Sequence, residues 1–402
     1  MNTDEEYFLS LLTAFLWERP TPLMPPEVSP EEVVRLARLH AVEGIVGYMM
    51  RRLPPGERVG EALQKYFSDA FFSTIKRMTG AAHRAGQMME LLSAAGLPHI
   101  CLKGYVVREC YPVPELRTFG DVDLFFKKED LEAACRAAEG GGYTVSRGNA
   151  LECSARRDEE YYEFHARMVE VEINDSIDLT TYFSDVWRYA VPLSGDYTYT
   201  LKPERHLLYL FVHLAKHLCY GGAGVRMFLD IAAFIKAQET LDWEELEAEL
   251  TKTGLSRFAG RVLFFCRAWL GLPAPIPVED MPEAAAADFL EFVLSGGVFG
   301  ASYAGEPEVA LRRGMQDGDT LSGAARRARR QVLFPSYESM RATYTFIDGK
   351  KYLLPLAWGK RALLFFSPKR RQMADRVRAL SQTAVDDRLL AQRRLFDSLG
   401  LK

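Results

Sequence analysis

Charge of one sign is the first thing this sequence has little of. Across 402 residues, 50 Lys and Arg stand against 54 Asp and Glu, a net charge of −4. Bulk charge therefore gives the whole chain no attraction to nucleic acid. Cysteine is also scarce: Cys101, Cys110, Cys135, Cys153, Cys219 and Cys266 are irregularly spaced, and no two form a C-x-x-C pair. That pattern argues against a zinc ribbon and against a disulfide scaffold. It predicts free thiols in a reducing compartment. Long apolar runs are missing too. The longest, "RVLFFCRAWLGL" and "YLLPLAWGKRALLFF", are broken by charge, Gly or Pro, well short of the ~20 residues a membrane-spanning helix needs. The opening "MNTDEEYFLSLLTAFLW" puts acids before its apolar run. A secretory leader needs a positive start, so this run reads as an amphipathic first helix. The expected location is the cytoplasm, with no membrane partner.

What is present suits a folded enzyme-sized chain. Apolar residues make up 48% of it, enough for a sizeable core, and the length suggests two or three domains. Residues 1–95 read as helices. "SPEEVVRLARLHAV" offers Ser29 as N-cap and Pro30 at the first helical position. "EALQKYFSDAFFSTIKRMTGAAHRAGQMMELLSAAG" has long helical spacing and stops at Gly96. The texture changes over 96–200. "PHICLKG", "DVDLFF", "YTVSR" and "MVEVEIN" read as strands and "KEDLEAACRAAEGGGY" as a helix. Residues 201–402 turn helical again, through "PERHLLYLFVHLAKHL", "GVRMFLDIAAFIKAQ" and "DWEELEAELTKTG" with Asp242 as a cap. The expectation is an α+β fold: a small mixed-sheet core over 96–200, flanked by an N-terminal helical region (1–95) and a C-terminal helical domain (201–402). No repeat or low-complexity tract is visible, and residues 300–325 read as a loop. Between Arg312 and Leu380 sixteen Lys or Arg stand against five Asp or Glu. Such a bias marks either a phosphate-binding surface or ordinary solvated helices.

One strand carries the chemistry. In "DVDLFF", alternation puts Asp121, Asp123 and Phe125 on one face and Val122, Leu124 and Phe126 on the other. Two like charges roughly 6–7 Å apart repel, and a divalent cation between them would offset the repulsion. A wet strand end is the plainer alternative. A glycine turn, "LKG", lies upstream, and "VEVEI" downstream places Glu170 and Glu172 on one face. Carboxylates from two neighbouring strands can hold two Mg²⁺ ions that clamp a phosphoryl displacement.

In order and spacing these pieces resemble the nucleotidyltransferases of the DNA polymerase β type. More narrowly, the chain is similar to the uncharacterised bacterial branch in which Lys-Gly replaces the usual Gly-Ser ahead of Asp-x-Asp. The shared features are Lys103–Gly104, Arg117 in "PELRTFGDVD", Gly142–Tyr143, "LLYLFVHLAKH", "GVRMFLD", "LFPSYESMRATY" and "LLPLAWGKR", over about residues 80–365. The resemblance implies an α+β nucleotidyltransferase core and Mg²⁺-dependent transfer of a nucleoside monophosphate from an NTP to a hydroxyl, with release of pyrophosphate. It implies Asp121, Asp123 and Glu170 as metal-binding and catalytic residues, with Glu172 as the alternative third carboxylate. Lys103, Gly104 and Arg117 would contact the nucleotide. His213, Lys216, His217, Arg226 and Asp230 would face the acceptor, an RNA such as a tRNA end, a small molecule or a protein side chain. Arg226 and Asp230, four apart, are equally spaced for an intrahelical ion pair. His165 and Arg167 are either site-facing or ordinary loop residues. Two departures stand out: the gap from Gly104 to Asp121 is long, and the branch's carboxylate–apolar–His pattern reads Glu170–Val171–Glu172 here. A catalytically idle nucleotide-binding or partner-binding module of the same fold is the rival reading.

Overall fold

The computed structural model describes residues 1–57, 59–169, 179–273, 281–298, 330, 333–337, 340–341, 344–347, 349–363 and 387–401. Four helices come first: α1 (Thr3–Leu16), α2 (Pro30–Leu39), α3 (Glu43–Met50) and α4 (Glu61–Ala94). Their starts follow local chemistry. Asn2 and Glu5 form a capping box on α1, and the Ser29 hydroxyl accepts from the Glu32 amide with Pro30 in the first turn of α2. Gly96, at φ +69°, ends the α4 run in the left-handed region.

The middle of the chain alternates: β1 (His99–Cys101), α5 (Gly104–Val107), β2 (Val122–Phe125), α6 (Leu131–Gly140), β3 (Thr144–Asn149), β4 (Glu152–Arg157), β5 (Glu160–His165), α7 (Leu179–Tyr182), β6 (Ala190–Ser194) and β7 (Thr198–Leu201). One seven-stranded mixed sheet results, in the order β3-β4-β5-β2-β1-β7-β6. β2 runs antiparallel to β1 and parallel to β5, with Asp123 opposite Glu163 and Phe125 opposite His165. The helices that follow are α8 (Pro203–Tyr220), α9 (Val225–Ala237), α10 (Trp243–Lys252), α11 (Ser256–Leu270), α12 (Glu283–Gly296), α13 (Leu354–Ala362) and α14 (Asp387–Leu399). This is the α+β architecture expected, a mixed sheet flanked by helices before and after it. Among the described residues no helix is long and apolar enough to cross a membrane.

Each face of the sheet has its own core. Val122, Leu124 and Phe126 pack with Met88 and Leu92 of α4 and Ala134 and Cys135 of α6. Phe125 and Ile100 turn the other way, into the larger core built with α1–α3, α8, α9 and α11. The alternation read from "DVDLFF" thus holds. The two helical regions also join directly: the Thr13 hydroxyl donates to the Trp269 carbonyl and Trp17 Nε1 to the Leu270 carbonyl.

One expectation needs correction. Cys135 on α6 and Cys153 on β4 are disulfide-bonded, with four free cysteines remaining. They lie 18 residues apart, and only the packing of α6 on β4 brings them together, so spacing gave no cue. Among the described residues the aspartate strand lies between β1 and β5, and β5 is reached through the β4–β5 hairpin; all but the first two residues of "MVEVEIN" lie outside the described residues. Glu170 and Glu172 lie outside the described residues, as does the loop expected at 300–325 and most of the basic stretch.

Candidate active site

The turn between β1 and α5 is the first element of the site. Lys103 sits in it at φ +54° and ψ −129°, a conformation that costs a non-glycine residue about 1–3 kcal/mol. Its carbonyl accepts the first two amide bonds of α5, from Val106 and Val107. Its side chain is drawn the other way, and Nζ lies 2.7 Å from Asp123 Oδ1. Gly104 follows because nothing larger fits: a Cβ there would lie 2.2 Å from Arg117 Nη1 and 3.0 Å from Phe119 Cβ.

The parallel pairing of β2 and β5 supplies the second element. Asp123 is 7% exposed at the centre of the sheet. His165 Nε2 lies 3.3 Å from Asp123 Oδ1 and 3.3 Å from Glu163 Oε2. Ligand atoms of Asp123, Glu163 and His165 all fall within 4.8 Å of one another. Two carboxylates and an imidazole so placed form a donor set that fits a divalent cation. Asp121 stands just before β2 and is exposed. Its charge still acts on Lys103, Arg117 and Arg226.

The electrostatics follow from burial and these contacts. Burial raises the Asp123 carboxyl, but Lys103 and His165 outweigh it and hold the group well below the usual carboxylate range. Burial likewise opposes the charged His165, yet Asp123 and Glu163 push it up to about 9. A hydrogen bond from His165 lowers Glu163. For Lys103, burial is overcome chiefly by the nearby Tyr209 and Asp123, and its ammonium is stabilised. The site is thus a charged cluster, with two carboxylates already facing two cations of the chain.

The third element is a stripe on α8. Tyr209, His213, Lys216 and His217 follow helical spacing along one face, while Leu207, Leu208, Phe211 and Leu214 bury the other. A cavity of about 280 Å³ opens between this stripe and the sheet, lined by Lys103, Asp123, Glu163, His165, Tyr209 and Lys216 among others. His213 stacks on Tyr209 and meets His217 edge-on, with centroids 6.1 and 4.5 Å apart. Burial lowers both histidines, His217 to about 4. They are neutral rings at neutral pH. Arg167 also lines the cavity.

The remaining sequence candidates are joined differently from expectation. Arg117 donates from Nη2 to Asp230 Oδ2 at 2.6 Å and from Nε to Asp230 Oδ1 at 3.0 Å, and Tyr111 Oη donates to the same Oδ1 at 2.7 Å. Arg117 is 8% and Asp230 6% exposed, so this is a buried bidentate pair. Arg226 does not close an ion pair with Asp230. Its Nη1 donates to the Thr118 carbonyl at 3.1 Å and to Thr118 Oγ1 at 2.9 Å. Sequence reading missed Glu163 altogether. The signal was "EFH", Glu163–Phe164–His165, a carboxylate–apolar–His pattern one strand earlier than the one inspected.

Residues 26–271 match the family described as uncharacterised nucleotidyltransferase. The match covers more than half of the 402 residues, and the chain belongs to this family. Membership supports nucleotidyl transfer as its activity and an NTP as its substrate. No curated protein and no solved structure matches it.

Proposed function

We propose that the protein transfers a nucleoside monophosphate from an NTP to a hydroxyl group, on an RNA end or a small molecule. The observation that carries this reading is the pairing of Asp123 with Glu163 across β2 and β5, two residues from Asp121, in a chain of this family. The acceptor oxygen attacks the α-phosphorus and forms the new O–P bond. The bond from that phosphorus to the bridging oxygen breaks, and its electron pair leaves with pyrophosphate. The hydroxyl proton passes to a carboxylate, for which Glu163, kept ionised by His165, is well placed. Asp121, Asp123 and Glu163 would hold divalent cations, Mg²⁺ by preference and two in number by resemblance, which neutralise the phosphate oxygens. Glu170 and Glu172 are the other candidates for the third carboxylate. Lys103 fixes the orientation of Asp123. The Arg117–Asp230 pair ties the segment entering β2 to α9, so both residues position the site and neither is free for a ligand. On the acceptor side Tyr209 lines the cavity, backed by the neutral rings of His213 and His217.

A second reading has one observation in its favour: Lys103 and His165 already neutralise Asp123, as in an idle binding module. Transfer of α-labelled NTP in the presence of Mg²⁺, offered with total tRNA and with a metabolite extract, separates the two. The proposal expects label in one acceptor fraction, lost in the Asp121→Asn/Asp123→Asn variant. Glu163→Gln against Glu170→Gln then assigns the third carboxylate. Mg²⁺-dependent NTP binding without transfer to any acceptor would favour the idle module.

A further inference from the structure

Oxygen ligands alone are enough for Mg²⁺, yet the donor cluster in the cavity includes an imidazole. Asp123, Glu163 and His165 are its three members, and Asp121 is not among them. The parallel register explains the grouping. Asp123 lies opposite Glu163 and Phe125 opposite His165, so strand alternation brings the three side chains to one face of the sheet. His165 Nε2 stands 3.3 Å from Asp123 Oδ1 and 3.3 Å from Glu163 Oε2. Ligand atoms at neighbouring corners of an octahedral or tetrahedral ion, with bonds of about 2.1–2.2 Å, lie roughly 3.0–3.5 Å apart. Both separations match that spacing. Lys103 Nζ also reaches Asp123 Oδ1, at 2.7 Å, but an ammonium has no lone pair to give a metal, whereas a neutral imidazole has one. All three donors line the same cavity of about 280 Å³, which has room for an ion and several further ligands at ~30 Å³ per water.

We infer that His165 is the third ligand of the cation held by Asp123 and Glu163, and that this centre takes a first-row transition ion, Mn²⁺ ahead of Mg²⁺. This rests on the nucleotidyl-transfer reading and names the metal of its site. Carboxylates bind Mg²⁺ and Mn²⁺ alike and do not choose between them. A nitrogen donor favours the transition ion, because Mg²⁺ is hard and keeps to oxygen. On binding, the ring gives its Nε2 proton to solvent and its lone pair to the metal. The resemblance implies Mg²⁺ here, and the imidazole shifts that preference.

The test is pulsed electron paramagnetic resonance of Mn²⁺ bound to the full chain, alone and with inorganic tripolyphosphate, a phosphate mimic with no nitrogen of its own. A ring nitrogen on the metal gives a nitrogen hyperfine coupling. Wild type is expected to show it. His165→Gln, which offers an oxygen in place of the nitrogen, is expected to lose it. The wild-type spectrum is decisive by itself and needs no variant to fold. Competition between the two ions gives a second readout: His165→Gln is expected to lose roughly ten- to hundred-fold in Mn²⁺ affinity and to keep Mg²⁺ affinity within about three-fold. Bound Mn²⁺ with no nitrogen coupling in wild type, a coupling that survives in His165→Gln, or an equal loss for both ions overturns this inference and leaves the transfer reading standing. A wild type that binds neither ion, with or without tripolyphosphate, overturns both.

Discussion

Arg117 and Asp230 show how residue-scale chemistry sets the site. A buried pair with a third donor from Tyr111 holds the chain segment that enters β2. Removing one partner leaves an uncompensated buried charge, at a cost of about 3–5 kcal/mol. Asp230→Ala is therefore expected to lower unfolding stability by that amount in urea denaturation. The exposed Lys65–Asp69 pair, with side chains 75% and 64% exposed, should change it by less than about 0.5 kcal/mol. Equal effects would contradict the assignment of the first pair as a strut. The sequence offered Arg117 and Asp230 as site residues and placed them 113 positions apart. Nothing in spacing shows that a guanidinium and a carboxylate so distant will meet, and so the intrahelical partner Arg226 looked equally good for Asp230.

At the scale of elements, backbone approach matters more than side-chain type. α3 and α4 meet where Gly47 faces the Phe67 carbonyl: a Cβ at residue 47 would lie 2.4 Å from that oxygen. Gly47→Ala should destabilise the protein by about 1–3 kcal/mol through overpacking. Gly86, in the same α4 with open space around it, should gain up to about 1 kcal/mol on substitution by Ala, from helix propensity alone. Differential scanning calorimetry of the two variants checks both signs. Helices were the legible part of this fold, because capping residues and apolar spacing are local signals: Ser29, Asp242 and Gly96 all do what their positions suggest. β1 and β2 were legible as short apolar runs between turns. The β4–β5 hairpin was not. Its turn is Asp158–Glu159, with Asp158 at φ +52°, and its strands carry charge on alternate positions, so "ECSARRDEEYYEFH" reads as polar. Only Cys153, Ala155, Tyr162 and Phe164, all facing the second core, betray a period of two. Missing that hairpin hid Glu163 and the Cys135–Cys153 bond together. Thiol titration of the unreduced, denatured chain should return four groups, and six would contradict the pairing.

Across the whole molecule, one core draws α1–α3 onto α8, α9 and α11 and leaves several histidines neutral inside it. Burial lowers His40, His206 and His217 from 6.5 to about 4. For a base whose folded value is depressed, the unfolded chain binds the proton first. The stabilisation is complete above pH ~6.5 and is lost as pH falls from there toward 4. A shift of that size corresponds to about 3 kcal/mol for each fully buried ring. Unfolding free energy should therefore decline steeply between pH ~6.5 and 4, and His206→Phe should flatten the slope in equilibrium denaturation. A pH-independent stability over that range would contradict the buried neutral state.

The central claim is that the carboxylates of β2 and β5 form a metal-dependent transfer centre. Its most direct test is Mg²⁺-dependent pyrophosphate release from each NTP, with tRNA and small-molecule fractions as acceptors, compared between wild type and Glu163→Gln. The substitution keeps the shape of the side chain and removes its charge and basicity. The account predicts release in wild type, abolished by EDTA, and a loss of about 10²–10⁴-fold in the variant, the range for a general base in position. Full activity in Glu163→Gln would contradict the site as built here.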